Sequence, residues 1–228
     1  MTRRRALALT GAALACPAVA HGQRTLRLRL GHGLPRSHPV HPAMQFFADT
    51  LRERSGGAIE TTLFPDGAIG QEVDLLSQAQ AGKLDFVKVS ASVMESIGPA
   101  YRVFSLPFIF RDKAHWRTVT TNEIGSRILN STQARGLVGL TYYEAGSRSF
   151  YGRKPIDHPD DLKGLKIRIQ QSPTMRRMMQ LFGAEGVALA WENVYSALRA
   201  RLVVGAENSL VSLIVGRHGE VVTHYSFD

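Results

Sequence analysis

The residue best placed for chemistry is Arg168, within DLKGLKIRIQQ at 161–171. Lys166, Ile167, Arg168 and Ile169 read as a short strand fed by a turn at Lys163-Gly164. Neighbours on a strand face opposite ways, so Ile167 and Ile169 share one face while Lys166 and Arg168 share the other. A guanidinium held on a strand offers parallel donors that match the two oxygens of a carboxylate. From the local pattern alone, a solvated Arg on a half-exposed strand is the commoner case.

Other spacings suggest other chemistries and fall short of them. Gly31-His32-Gly33 follows an alternating stretch, Thr25 to Leu30, as a dinucleotide-binding loop would. Arg36 stands where the third glycine belongs, and no acidic ribose ligand follows a second strand. His38 and His41 have metal-ligand spacing. Each is followed by proline, and no carboxylate or Cys partner lies nearby in sequence, which fits loop and helix-start residues better. There is no G-x-S-x-G elbow, Walker loop, H-E-x-x-H or Cys nucleophile, so no catalytic residue, cofactor or metal is expected. Asp160 and Asp161 are adjacent and would diverge on a loop.

Around Arg168 the chain reads as alternating strands and helices. The helix ending near Arg54 carries Val40, Met44, Phe47 and Leu51, and Ile59 to Phe64 is a strand. Pro65-Asp66-Gly67 is a turn before a helix from Gly70 to Gly82, with Glu72 in its first turn. Asp85 to Ala91 is a strand with Ser90 at its carboxyl end, where open α/β sheets present ligand contacts. Val103 to Phe110 reads as a buried apolar run, and Asp112 caps a helix carrying Trp116. Strands are expected at Leu137 to Tyr143, Val187 to Ala190, Val203 to Ala206 and Val221 to Phe227, the last leading back to the first lobe. Pro173 starts a helix whose Met175, Met178 and Met179 suit a core.

The strand of Arg168 is similar to one in the solute-binding proteins of TRAP transporters, the dicarboxylate-binding (DctP) family. The resemblance extends to LFPDGAIGQEVDLLSQAQAG (63–82), VFSLPFIFRDKAHW (103–116), GSRSFYGRKPI (146–156), DLKGLKIRIQQSPT (161–174) and VYSALRARLVVGAEN (194–208), in that order. It implies an α/β, two-lobed periplasmic-binding-protein-like fold with a ligand cleft between lobes. The lobes would span 25–145 and 146–228, and the C-terminal strands and long helix of the family would be missing beyond Asp228. That would leave raw sheet edges and an uncovered apolar face. The implied function is an extracytoplasmic receptor that binds a small organic acid and delivers it to TRAP membrane subunits. The alternative is a truncated, non-binding fragment of such a receptor. By resemblance, Arg168 clamps the carboxylate, Arg148 is a second cationic contact and Asn208 a hydrogen-bond partner. Trp191, Glu72 and Ser90 would face the cleft. The family usually has Glu at Asn193, Gln-Thr-Gly at Arg199-Ala200-Arg201 and Asp at Val204.

Composition sets the address. Arg3 to Arg5, the apolar run Ala6 to Ala20 and the Ala18-Val19-Ala20 cleavage site make residues 1–22 an export signal for the periplasm. Thr2-Arg3-Arg4 also loosely fits a twin-arginine signal. Cys16, the one cysteine, would leave with it. Loss of three arginines takes the formal charge from +9 to +6, which still favours anionic solutes. Lys and Arg are scattered among Asp and Glu without a nucleic-acid module, so no nucleic-acid partner is expected. The body of the chain has no apolar run long enough to span a membrane.

Overall fold

The alternation of Leu26, Leu28 and Leu30 forms β1 (Leu26–His32), the middle strand of a three-stranded sheet. The structure, a computed structural model, describes residues 25–227; the export segment and Cys16 lie outside the described residues. Strand β1 pairs in parallel with β2 (Ile59–Phe64) and β3 (Phe86–Lys88), giving the order β2-β1-β3. Parallel neighbours need crossovers, supplied by α1 (Val40–Arg54) and α2 (Glu72–Gln80). Leu30, Val40 and Met44 form the buried contact of α1 with this sheet. The turn into α2 places Asp66 and Gly67 at φ of 57° and 66°, a left-handed pair that suits Asp and Gly.

The chain continues through α3 (Ala91–Met94), a 3₁₀ turn at Pro99–Ser105, α4 (Lys113–Thr121) and α5 (Glu123–Asn130). Asp112 caps α4 as the sequence predicts, accepting from the His115 N–H at 2.7 Å. The second sheet contains β4 (Ser149–Gly152), β5 (Lys166–Ile169), β6 (Glu185–Ala188), β7 (Gly205–Asn208) and β8 (His224–Tyr225), in the order β6-β5-β7-β4-β8. Strand β5 is parallel to β6 and β7, whereas β4 is antiparallel to β7 and β8. Helices α6 (Pro173–Leu181), α7 (Val194–Arg199) and α8 (Leu210–Val215) complete this half. Ile167 and Ile169 pack on Met175 and Met179 of α6, so the methionine cluster is core. On the other side of the sheet, Tyr151 and Ala206 pack on Val194, Ala197 and Leu198 of α7.

Three expected elements differ. Leu137 to Tyr143 forms no strand: Val138 and Leu140 are 66% and 60% exposed, because the alternating residues find no sheet edge to pair with. The run Val103 to Phe110 is not buried throughout. It leaves the 3₁₀ turn with Phe108 at φ 55° and 84% exposed. The last strand joins the edge of the second sheet beside β4, with Tyr225 stacked on Tyr151 at 6.2 Å and the Ser226 N–H bonded to Phe150 O at 2.8 Å.

The two halves are tied by a buried carboxylate. Glu95, just after α3, accepts from Ser105 Oγ, from Ser172 Oγ at 2.6 Å and from the Thr174 N–H at 3.2 Å. It thereby places negative charge at the N-terminus of α6, where the helix dipole favours it. Glu95→Ala would strand these donors in a buried site and is expected to cost about 1–3 kcal/mol. Urea unfolding checks this as a lower midpoint at unchanged slope. An unchanged midpoint would mean that the tie contributes nothing.

Candidate functional site

Both sheets aim the carboxyl ends of their parallel strands at one cleft. Gly33 and Leu34 follow β1, Ser90 follows β3, Gln170 follows β5 and Leu189 follows β6. Strand β4 runs the other way, so the residue before it, Arg148, reaches the same place. Open α/β sheets bind ligands at this end because strand ends leave backbone and side-chain groups uncommitted to the ladder. Arg168, Arg148, Asn208, Trp191, Glu72 and Ser90 all line it.

Arg168 is only 3% exposed, so the picture of a half-exposed, solvated Arg does not hold. Its Nε and Nη2 donate to Leu189 O at 3.0 and 2.7 Å, which fixes the plane of the guanidinium. Its Nη1 is buried without a partner among the described residues. Burial holds the Arg168 pKa below the usual arginine value. Nearby Glu207 opposes that shift, and Arg148 adds to it. The group remains cationic because arginine is not deprotonated in proteins. The result is a fixed, desolvated cation with donors to spare.

Arg148 is more committed than a simple second cationic contact. Its Nε donates to Glu207 Oε2 at 2.5 Å, its Nη2 to Glu207 O at 2.8 Å and its Nη1 to Asn208 Oδ1 at 3.0 Å. Burial works against the Arg148 charge, but the Glu207 charge and hydrogen bond prevail and hold its pKa above the usual value. Arg148 therefore pins the end of β7 and orients Asn208. Asn208 Oδ1 also accepts the Ser209 N–H at 2.8 Å.

Glu207 was missed as a site residue. It is 3% exposed, and its Oε1 is buried without a partner. The available signal was an ionisable residue ending the apolar run VVGA, where a carboxylate needs a buried cation. Lys88 was missed too. On the facing wall, Glu72 Oε1 accepts from the Ser90 N–H at 2.9 Å and Ser90 Oγ at 3.0 Å, with Lys88 Nζ 3.7 Å away. Trp191 is half-buried, its ring 5.2 Å from that of His218. His218 Nδ1 in turn meets the Tyr151 hydroxyl at 2.7 Å.

The two histidines with metal-ligand spacing each have another partner. His41 Nδ1 bonds His32 Nε2 at 3.0 Å, while His38 Nδ1 accepts the Val40 N–H at 3.2 Å. Among the described residues no group of three or more His, Cys, Asp or Glu is arranged to hold a metal ion.

A family model, DctP, described as bacterial extracellular solute-binding protein, family 7, matches residues 30–228. The chain belongs to this family. One relative of the family 7 protein is YiiZ of Salmonella typhimurium, 38% identical over 91% of this chain and 63% of its own. A TRAP periplasmic solute-binding protein from Xanthobacter autotrophicus, solved with bound β-D-galacturonate, superposes with TM-score 0.85 at 38% identity. That match covers 88% of this chain and 67% of the other. One from Anaerococcus prevotii, solved with bound D-glucuronate, gives TM-score 0.86 at 35% identity, covering 89% and 67%. The likeness fixes the fold as α/β and of the TRAP solute-binding type. The chain spans about 63% of the length of YiiZ.

Proposed function

We propose that this family 7 protein is the extracytoplasmic solute-binding receptor of a TRAP transporter. It binds a small organic acid and passes it to membrane subunits. The observation that carries the reading is Arg168: a buried guanidinium held by Leu189 O, with Nη1 unpartnered, lining the cleft between two sheets. A carboxylate entering this cleft loses water, which is costly unless fixed donors replace it. The uronates named for the Xanthobacter and Anaerococcus proteins support a sugar acid as the first ligand to try.

The division into lobes at 25–145 and 146–228 is part of the same proposal. In support, the first sheet and α1 to α5 precede that boundary, while β4 and all later elements follow it. Periplasmic address, partnership with membrane subunits and a binding rather than catalytic role are carried over from the family. No helix among the described residues is long and apolar enough to cross a membrane.

Trp191 provides the direct test. D-Galacturonate is expected to change tryptophan emission in the wild-type protein and in Trp116→Phe, but not in Trp191→Phe. Calorimetric titration of the same samples measures affinity. Failure of D-galacturonate, D-glucuronate and succinate to bind at all would overturn the receptor reading.

A further inference from the structure

Among the described residues, apart from Arg168, one other cationic or imidazole side chain that lines the cleft keeps a buried nitrogen without a partner. It is His38, whose residue is 1% exposed and whose Nε2 meets no hydrogen-bonding atom of the protein. The sequence gives this residue metal-ligand spacing with His41 but favours a place in the loop leading into α1. Its Nδ1 accepts the Val40 N–H at 3.2 Å, so the ring proton must sit on Nε2. The imidazole is thereby a donor of fixed tautomer and fixed orientation. It stays neutral: burial and the charge of Lys88 bring its pKa down to about 4.

We propose that His38 is a ligand-recognition residue whose Nε2–H donates to a hydroxyl oxygen of the bound acid, on the wall opposite Arg168. The inference rests on the receptor reading and specifies the ligand as a hydroxylated acid. The wall itself argues for a hydroxyl over a second carboxylate. His38 offers a donor, while Glu72 on the same side offers a carboxylate. A hydroxyl can accept from the first and donate to the second. A carboxylate there would face the Glu72 charge, and Lys88 already pairs with Glu72 at 3.7 Å. A neutral imidazole also adds no charge that would favour a dianion. A buried donor left unpaired is costly, so a ligand that satisfies it is preferred over one that cannot.

Calorimetric titration with D-galacturonate and with succinate, which has no hydroxyl, separates the possibilities. The samples are wild type, His38→Phe, His38→Gln and Arg168→Ala. His38→Phe keeps ring volume without the donor, and His38→Gln returns an amide N–H near the position of Nε2. D-Galacturonate is expected to bind His38→Phe about ten- to hundredfold more weakly, with a clear recovery in His38→Gln. Any succinate affinity should change by less than about threefold. The ligand-free melting temperature of His38→Phe should fall modestly, because the Val40 N–H loses its Nδ1 acceptor. Unchanged D-galacturonate affinity in His38→Phe, while Arg168→Ala abolishes binding, would overturn the inference and leave the receptor reading standing. An equal loss for both acids would overturn the hydroxyl assignment. An equal loss in His38→Phe and His38→Gln would make the ring structural and sink the proposal. No binding of either acid to the wild type would overturn both readings.

Discussion

Arg168→Ala abolishes organic-acid binding while the fold survives: this is the largest effect expected of any single substitution in the cleft. The residue's Nε and Nη2 are anchored on Leu189 O, so the outward edge of the fork is positioned before a ligand arrives. Removing one member of a desolvated charge pair costs about 2–5 kcal/mol, or roughly thirty- to several-thousand-fold in affinity. Arg168→Lys should lose nearly as much. An ammonium cannot hold Leu189 O and a carboxylate in the same fork geometry. Arg148→Ala should cost binding less directly, because its donors already serve Glu207 and Asn208. Calorimetry on the folded variants checks the order. Near-wild-type affinity in Arg168→Ala would return the residue to a purely structural role.

Acid is the second large perturbation. His32, His38 and His218 each titrate in the folded protein at about 4, against an ordinary 6.5. Burial is the main cause for all three. His41 and Lys88 add to it at His32, Lys88 at His38 and Arg168 at His218. Below the ordinary value the unfolded chain takes up protons that the folded chain refuses, so acid favours unfolding. Stability is therefore full at neutral pH and falls from about pH 6.5 towards about pH 4. The slope approaches about 1.4 kcal/mol per pH unit for each of these groups. Urea midpoints at successive pH values from 7 downwards should trace that decline, with net proton uptake on unfolding. A flat profile over the interval would show that these imidazoles are not held neutral by the fold.

The α/β alternation, the Asp112 cap, the turn at Asp66-Gly67 and the strand of Arg168 were legible in the sequence. Each depends on residues close in sequence: a capping carboxylate, a left-handed glycine, a period-two apolar pair. What sequence could not supply was long-range pairing. The Arg148–Glu207 pair joins residues 59 positions apart, and neither residue's neighbours reveal it. Leu137 to Tyr143 alternates well enough for a strand but meets no edge, and Val221 to Phe227 found the edge of β4 instead of the first sheet. His38 looked like loop punctuation because its significance lies in one unpartnered nitrogen, which only the packed cleft exposes as a feature.

On the receptor reading, the hydrogen bonds across the cleft also bear on how long a solute stays. Ser92 Oγ donates to Gln170 Oε1 at 2.7 Å, and Gln170 Nε2 donates to Ser90 Oγ at 2.9 Å. With the Glu95 tie, these bonds join the two walls through protein atoms alone. On that reading they would favour molecules whose walls stand together, and apparent affinity would scale with the fraction of such molecules. Ser92 does not line the cleft, so evolution could adjust it to retune residence time without altering which solute is chosen. Retention and discrimination are then separable traits: one resides in the seam between the walls, the other in the donors and acceptors that face the guest.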